Sequence, residues 1–211
     1  MEYTSGLICL VVAYLLGSIP TGYLVGKVKG IDIREHGSGS TGATNVWRVI
    51  GKKEGVFVWL VDSLKGYGAV WLALHWGQLF PNYPLHSWWV VGSALMVVLG
   101  HSRSVWLGFQ GGKSVASGLG VLFALNPKVA LVAFGVWGVS LLIWRTVSIS
   151  SILAAFATPV LFYFLDGRLP YLLLTTVAGL FVIWRHSSNI QRILAGTEPQ
   201  IWGKVSTGTG E

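Results

Sequence analysis

Charge is scarce in this chain of 211 residues: Asp, Glu, Lys and Arg together make up 11% of it, against about 25% in ordinary soluble domains. A soluble domain of that length could bury a large core, but it would still need a polar surface. Too few charges are present to build one. Hydrophobic residues reach 53%, with 11 tryptophans, and the mean hydropathy is +0.63. This is the composition of an integral membrane protein. The single cysteine, Cys9, excludes an internal disulfide framework and a multi-cysteine metal site, and its place in an apolar run suits a small buried hydrophobe. Met1-Glu2-Tyr3 lacks the basic start of a cleavable signal peptide, so the first apolar run reads as a retained span.

Catalytic signatures are missing too. No histidine has an aspartate five positions on, because those positions hold Thr41, Phe80, Val91, Trp106 and Gln191. That excludes the HxxxxD arrangement of the commoner glycerolipid acyltransferases. No GxSxG elbow occurs, and no clustered His and carboxylate spacing suggests a metal. Neither an aromatic-interleaved basic module nor a helix-turn-helix pattern points to nucleic acid. No internal repeat marks paired transporter halves.

What is present is a series of apolar stretches. Spanning helices need about 20 mostly apolar residues, and seven stretches qualify to different degrees: 4–24, 55–77, 86–100, 115–126, 128–144, 149–165 and 170–185. Asn126-Pro127-Lys128 and Asp166-Gly167-Arg168-Leu169-Pro170 read as turns between spans. Alternating the loops puts Lys27, Lys29, Arg34, Arg48, Lys52, Lys53, Arg103, Lys113, Arg145, Arg185, Arg192 and Lys204 on one side. Lys128 and Arg168 fall on the other, with Lys65 inside the second span. Basic residues flank spans on the cytoplasmic side. The expectation is an all-α integral membrane protein of seven transmembrane helices, N-terminus outside and C-terminus cytoplasmic. Residues 1–211 form a single membrane-embedded domain.

Unusual polar sequence gathers on the basic side. HGSGSTGATN (residues 36–45) packs three glycines, four hydroxyls and an amide into ten residues and is followed by Trp47-Arg48. The next such loop runs from Gly100-His101-Ser102-Arg103 to Gln110-Gly111-Gly112-Lys113-Ser114. The last reads Trp184-Arg185-His186-Ser187-Ser188-Asn189-Ile190, then Gly196-Thr197-Glu198. Glycine loops let backbone N–H groups converge on an anion, and hydroxyls with Arg or Lys complete a phosphate cradle. Gly111-Gly112-Lys113-Ser114 resembles the end of a nucleotide-binding loop. Leu107 stands where that pattern needs its first glycine, so anion binding is kept and nucleotide hydrolysis rejected. One GGK alone reads equally well as a tight turn before a helix. Two glycine-basic loops on one face favour function. Asp62 and Lys65, three apart within the second span, read first as a structural ion pair and second as shaping the site.

Taken in order, these three loops resemble the bacterial membrane family of acyl-phosphate:glycerol-3-phosphate acyltransferases. The likeness covers nearly the whole chain, from Gly17-Ser18-Ile19-Pro20-Thr21-Gly22-Tyr23 onward. It departs at Ser40, Ser104, Gln110 and Ser114, where the family pattern has Asn, Pro, Lys and Gly. The resemblance implies transfer of an acyl group from acyl phosphate to the sn-1 hydroxyl of glycerol 3-phosphate. The products would be 1-acyl-glycerol 3-phosphate (lysophosphatidic acid) and inorganic phosphate, in the first acylation step of phospholipid synthesis. An acyl phosphate is already activated, so alignment and charge stabilisation suffice.

The resemblance assigns Gly37, Ser38, Gly39, Gly42, Thr44, Asn45 and Arg48 to a phosphate site. Gly111, Gly112 and Lys113 form the second cradle, with Lys113 on phosphate or the developing oxyanion. His186 and Asn189 orient glycerol 3-phosphate, and His101 joins the site. Ser38, Lys113 and His186 are the catalytic candidates. The base stays open between His186, His101 and the substrate's own phosphate, and the site serine between Ser148 and Ser151. No metal or cofactor is implied. The expected setting is the lipid bilayer of the bacterial plasma (inner) membrane, with a cytoplasm-facing site on a monomer and no nucleic-acid partner. Among rival classes, a small-anion transporter would need matching polar groups on the opposite side, which are absent, and a structural subunit leaves the rim glycines and histidines unexplained.

Overall fold

The computed structural model describes residues 2–78 and 86–202. Among them the chain forms ten α-helices: α1 (Glu2–Ser18), α2 (Thr21–Val28), α3 (Ala43–Val49), α4 (Lys52–Gln78), α5 (His86–Ser102), α6 (Val115–Leu125), α7 (Pro127–Trp144), α8 (Val147–Leu165), α9 (Leu169–Arg185) and α10 (Ser187–Leu194). Short 3-10 turns occupy Ile33–Glu35 and Val105–Leu107. Each of the seven apolar stretches folds as helix. By length and composition, four segments suffice to cross a membrane: Thr4–Val28, Lys52–Trp76, Pro127–Trp144 and Val147–Leu165. Leu169–Arg185 with Ser187–Leu194 makes a fifth if that pair, bent by 56°, counts as one span. The eleven residues of α6 rise about 16 Å, roughly half the hydrocarbon thickness. Lys204, counted with the basic side, lies outside the described residues.

The breaks follow from local chemistry. Pro20 has no N–H to continue α1, so the expected 4–24 span divides there into α1 and α2. The Asn126 side chain accepts from the N–H groups of Lys128 and Val129, and Pro127 opens α7. Its Nδ2 donates to Asp166 Oδ2 at 2.8 Å, and Arg168 Nε donates to Asp166 Oδ1 at 2.7 Å. The two turns on that end of the molecule are thereby tied together.

Helices meet where glycine removes the side chain. A Cβ on Gly17 would lie 2.3 Å from the Val97 carbonyl oxygen, and one on Gly120 would lie 1.8 Å from that of Ser63. These close approaches join α1 to α5 and α4 to α6, as small residues do in lipid. Val90, Val97, Val129 and Phe162 sit at the centre of the main core cluster. Pro159, inside α8, cannot donate to the Ala155 carbonyl. Gly179 of α9 lies against that carbonyl, since a Cβ there would come within 2.8 Å of it.

Candidate active site

The loop of residues 36–45 is folded around one side chain. Asn45, in the first turn of α3, is 2% exposed. Its Oδ1 accepts from Ser38 N at 2.9 Å, while Nδ2 is shared among the carbonyls of Ile33, His36 and Ser40 at 3.2, 3.0 and 2.9 Å. Gly37 holds φ +60°, and a Cβ there would meet Asn45 Oδ1 at 2.3 Å. Only glycine permits both the turn and that contact. Asn45 therefore shapes the loop, and its amide has little capacity left for a ligand.

The second loop is fixed by its carbonyls. Arg185 Nη2 donates to Gly111 O and Gly112 O at 3.2 and 3.0 Å, and Ser102 Oγ donates to Gly112 O at 3.0 Å. Ser114 takes φ +63°, and its hydroxyl donates to Val98 O at 2.7 Å. Left-handed backbone is the region that favours glycine, so Ser114 is held there by its surroundings. Between these anchors, Lys113 Nζ reaches Asn189 Oδ1.

Glu198 gathers the third set. Asn189 Nδ2 and Ser148 Oγ donate to its Oε1 at 2.6 and 2.8 Å, and Arg192 Nε to its Oε2 at 2.7 Å. Arg48 Nη2 holds the next carbonyl, Pro199 O, at 3.0 Å. Burial raises the Glu198 carboxyl, but hydrogen bonds from Asn189, Ser148 and Arg192 outweigh it and hold the group below its usual range. Burial pushes the Lys113 ammonium down to about 8; Glu198 opposes that shift, and Arg192, Arg185 and Arg48 add to it. His186, buried at the end of α9, has its Nδ1 2.8 Å from Val182 O. A carbonyl only accepts, so Nδ1 carries the proton and a neutral ring presents Nε2 as an acceptor.

These groups share one cavity of about 210 Å³. Ser38, Gly42, Thr44, Asn45, Arg48, His101, Lys113, Ser148, Ser151, His186 and Asn189 all line it, together with Glu198. Ser40, Asp62, Ser114, Thr158 and Thr175 also border it, and the rest of its wall is largely apolar, with Leu119, Leu122, Phe134, Trp137, Ala154, Leu174 and Val182. Gly37, Gly39, Gly111 and Gly112 lie outside this lining and act through the turns they allow. Ser148 joins the charged cluster. Ser151, one turn further along α8, donates to Val147 O at 2.8 Å and takes a hydrogen bond from Trp137 Nε1 at 3.3 Å. Among the described residues no group of three or more His, Cys, Asp or Glu could hold a metal ion.

Sequence reasoning gave no role to Arg185, Arg192 or Glu198. Glu198 carried a signal, being one of few carboxylates on the basic side and part of the third polar loop.

The sequence model of the glycerol-3-phosphate acyltransferase family matches residues 7–196. The chain belongs to that family. The glycerol-3-phosphate acyltransferase of Thermosynechococcus vestitus is 54% identical over 202 residues, covering 93% of this chain and 94% of the relative. That of Synechococcus sp. (strain JA-2-3B'a(2-13)) is 52% identical over 201 residues, covering 95% and 96%. The crystal structure of PlsY, an integral membrane glycerol 3-phosphate acyltransferase in its glycerol 3-phosphate form, superposes with a TM-score of 0.87 at 41% identity, over 94% of this chain and 96% of that one. Its lysophosphatidic acid form gives 0.84 at the same identity, over 93% and 95%. This acyltransferase is thus an all-helical integral membrane protein with its motif loops drawn around one cavity.

Proposed function

We propose that this chain transfers an acyl group from an acyl phosphate to the sn-1 hydroxyl of glycerol 3-phosphate, releasing lysophosphatidic acid and inorganic phosphate. The observation that carries the reading is a single cavity with Arg48 and Lys113 at one end and an apolar wall continuing from them. Both substrates are anionic, and one is also a lipid. Relatives and the solved PlsY structures are named as glycerol-3-phosphate acyltransferases, which supports the acceptor and the acyl transfer and leaves the donor to the argument from the site.

In this reading the hydroxyl oxygen attacks the acyl carbon, and the carbon–oxygen bond to phosphate breaks. Lys113 offsets the charge that develops. Ser38, Thr44 and Arg48 take up phosphate, with Asn45 holding their loop in shape. Asn189 and Ser148 orient glycerol 3-phosphate. His186 accepts the hydrogen bond of the attacking hydroxyl through Nε2, and the proton ends on the departing phosphate. His101 is less suited to that step, because its Nδ1 meets Ser117 Oγ at 3.1 Å and its Nε2 lies against Gly112. Seven spans, an outside N-terminus, a cytoplasmic C-terminus and a cytoplasm-facing site in the bacterial plasma membrane complete the proposal, with a monomer as the working unit.

The test is phosphate release by detergent-purified protein given palmitoyl phosphate, with and without glycerol 3-phosphate. Release that depends on glycerol 3-phosphate, with an equal yield of lysophosphatidic acid, supports the reading. No release in either case, with organic-phosphate uptake in reconstituted vesicles, overturns it in favour of a transporter.

A further inference from the structure

Asp62 and Lys65 lie within α4, 1% and 8% exposed. Their side chains pair at 2.7 Å. A pair that served only to neutralise itself would need no other partners, yet each reaches further. Asp62 Oδ1 also accepts from Thr21 Oγ1 at 3.0 Å and faces His101 Nδ1 at 3.7 Å. Lys65 Nζ donates as well to Ile19 O at 2.8 Å.

These contacts lead to both glycine loops. Ile19 and Thr21 flank the Pro20 break, and Gly22 of α2 lies so close to the first loop that a Cβ would sit 2.0 Å from Thr41 O. The position of α2 therefore fixes the floor under residues 36–45. His101 bonds Ser117 at the start of α6, and its ring backs the second loop. A Cβ on Gly112 would lie 2.2 Å from His101 Nε2, and Lys113 is the next residue.

We infer that Asp62 is a positioning residue of the transfer site: it ties the α1–α2 break to one rigid helix and stands against the His101 ring behind the second loop, and so sets the two anion loops at a fixed separation. This inference rests on the transferase reading above. A transferase that must bring two phosphorylated groups together depends on that separation, and a displacement of about 1 Å can cost on the order of 100-fold in rate.

The test compares Thr21→Val, Thr21→Ser and the charge-neutral double variant Asp62→Asn/Lys65→Met in purified full-length enzyme, with thermal midpoints and steady-state kinetics for both substrates. Thr21 does not line the main cavity, and valine keeps its shape without the hydroxyl. Replacing both members of a buried pair is tolerated far better than replacing one. The expected result is a near-wild-type midpoint in all three, with kcat/KM lowered on the order of 10- to 100-fold in Thr21→Val and the double variant, and rescue in Thr21→Ser. Wild-type kinetics in Thr21→Val, or a double variant that recovers midpoint and kcat/KM together, would overturn the inference. Absence of transfer by the wild-type enzyme would instead remove the reading beneath it.

Discussion

Ser148 and Glu198, fifty residues apart, are joined by a hydrogen bond of 2.8 Å in which the hydroxyl donates to a carboxylate already held by Asn189 and Arg192. The carboxylate only accepts and the Lys113 ammonium only donates. Asn189 must therefore turn its Nδ2 to Glu198 and its Oδ1 to Lys113. One acidic side chain on the segment after α10 fixes the orientation of the polar end of the cavity.

Ser148→Ala is expected to lower kcat/KM for glycerol 3-phosphate on the order of ten- to a hundredfold, the equivalent of one hydrogen bond to a charged group at about 1.5–3 kcal/mol. Ser151→Ala should leave it near wild type, since that hydroxyl is occupied by Val147 O. Equal losses in the two variants, measured by initial rates over a glycerol 3-phosphate series, would contradict the choice of Ser148.

Asn45→Ala and Ser38→Ala should separate shape from contact. Removing the Asn45 amide leaves Ser38 N and three carbonyls without their partner, so the thermal midpoint falls along with activity. The cost is about 1–3 kcal/mol for each buried group left unpaired. Ser38→Ala removes only an exposed hydroxyl at the cavity and should lower activity at an unchanged midpoint. Differential scanning fluorimetry beside the phosphate-release assay checks both.

Much of this was legible in the chain. Long apolar stretches, with the turns at Asn126-Pro127-Lys128 and Asp166–Pro170 between them, placed the long helices, because breaks are local chemistry. The three polar loops were found because glycine, hydroxyl and basic residues stand out against apolar spans. The role of Asn45 was not legible: an Asn in a glycine-rich loop reads as a ligand until its contacts to Ile33 and Ser40 are seen. Glu198 was missed for a related reason. Its partners come from α8 and α10, and no sequence spacing links Ser148 to Arg192. The stretch 115–126 was read to within one residue of α6, but its close packing on Ser63 of α4 through Gly120 was not legible, because hydropathy says nothing of which helix faces which.

Ser114 offers a test of backbone strain. Left-handed backbone costs a non-glycine residue roughly 1–2 kcal/mol, and here the hydrogen bond that the hydroxyl donates to Val98 O offsets it. Ser114→Gly relieves the strain and loses the bond, so the midpoint should change little and activity persist. Ser114→Val loses the bond and adds a β-branched side chain where φ is +63°. It is expected to destabilise by about 3 kcal/mol. A Ser114→Val enzyme as stable as Ser114→Gly would show that the loop can leave this conformation without cost.

Lys113 is expected to set the alkaline limit of the proposed reaction. With burial holding its pKa at about 8, it is charged at neutral pH and loses its proton as pH rises through that value. Phosphate monoesters have lost their second proton well below this, at about pH 6, so the substrate's charge stays constant over the limb. The kcat/KM for glycerol 3-phosphate should therefore be flat below the limb and fall tenfold per pH unit above it, reporting the free enzyme. In kcat the limb should lie at higher pH, because a bound phosphate favours the charged lysine. Stability runs the other way. Between about 8 and the unfolded value of 10.5 the unfolded chain binds more protons at this residue, so its contribution to folding stability rises with pH. Loss of activity in this window is then not unfolding, and the midpoint measured alongside should show no matching drop from this group. Lys113→Arg keeps a charge throughout the range and should abolish the limb, at some cost in rate from altered geometry. A limb that persists unchanged in Lys113→Arg would assign it to another group.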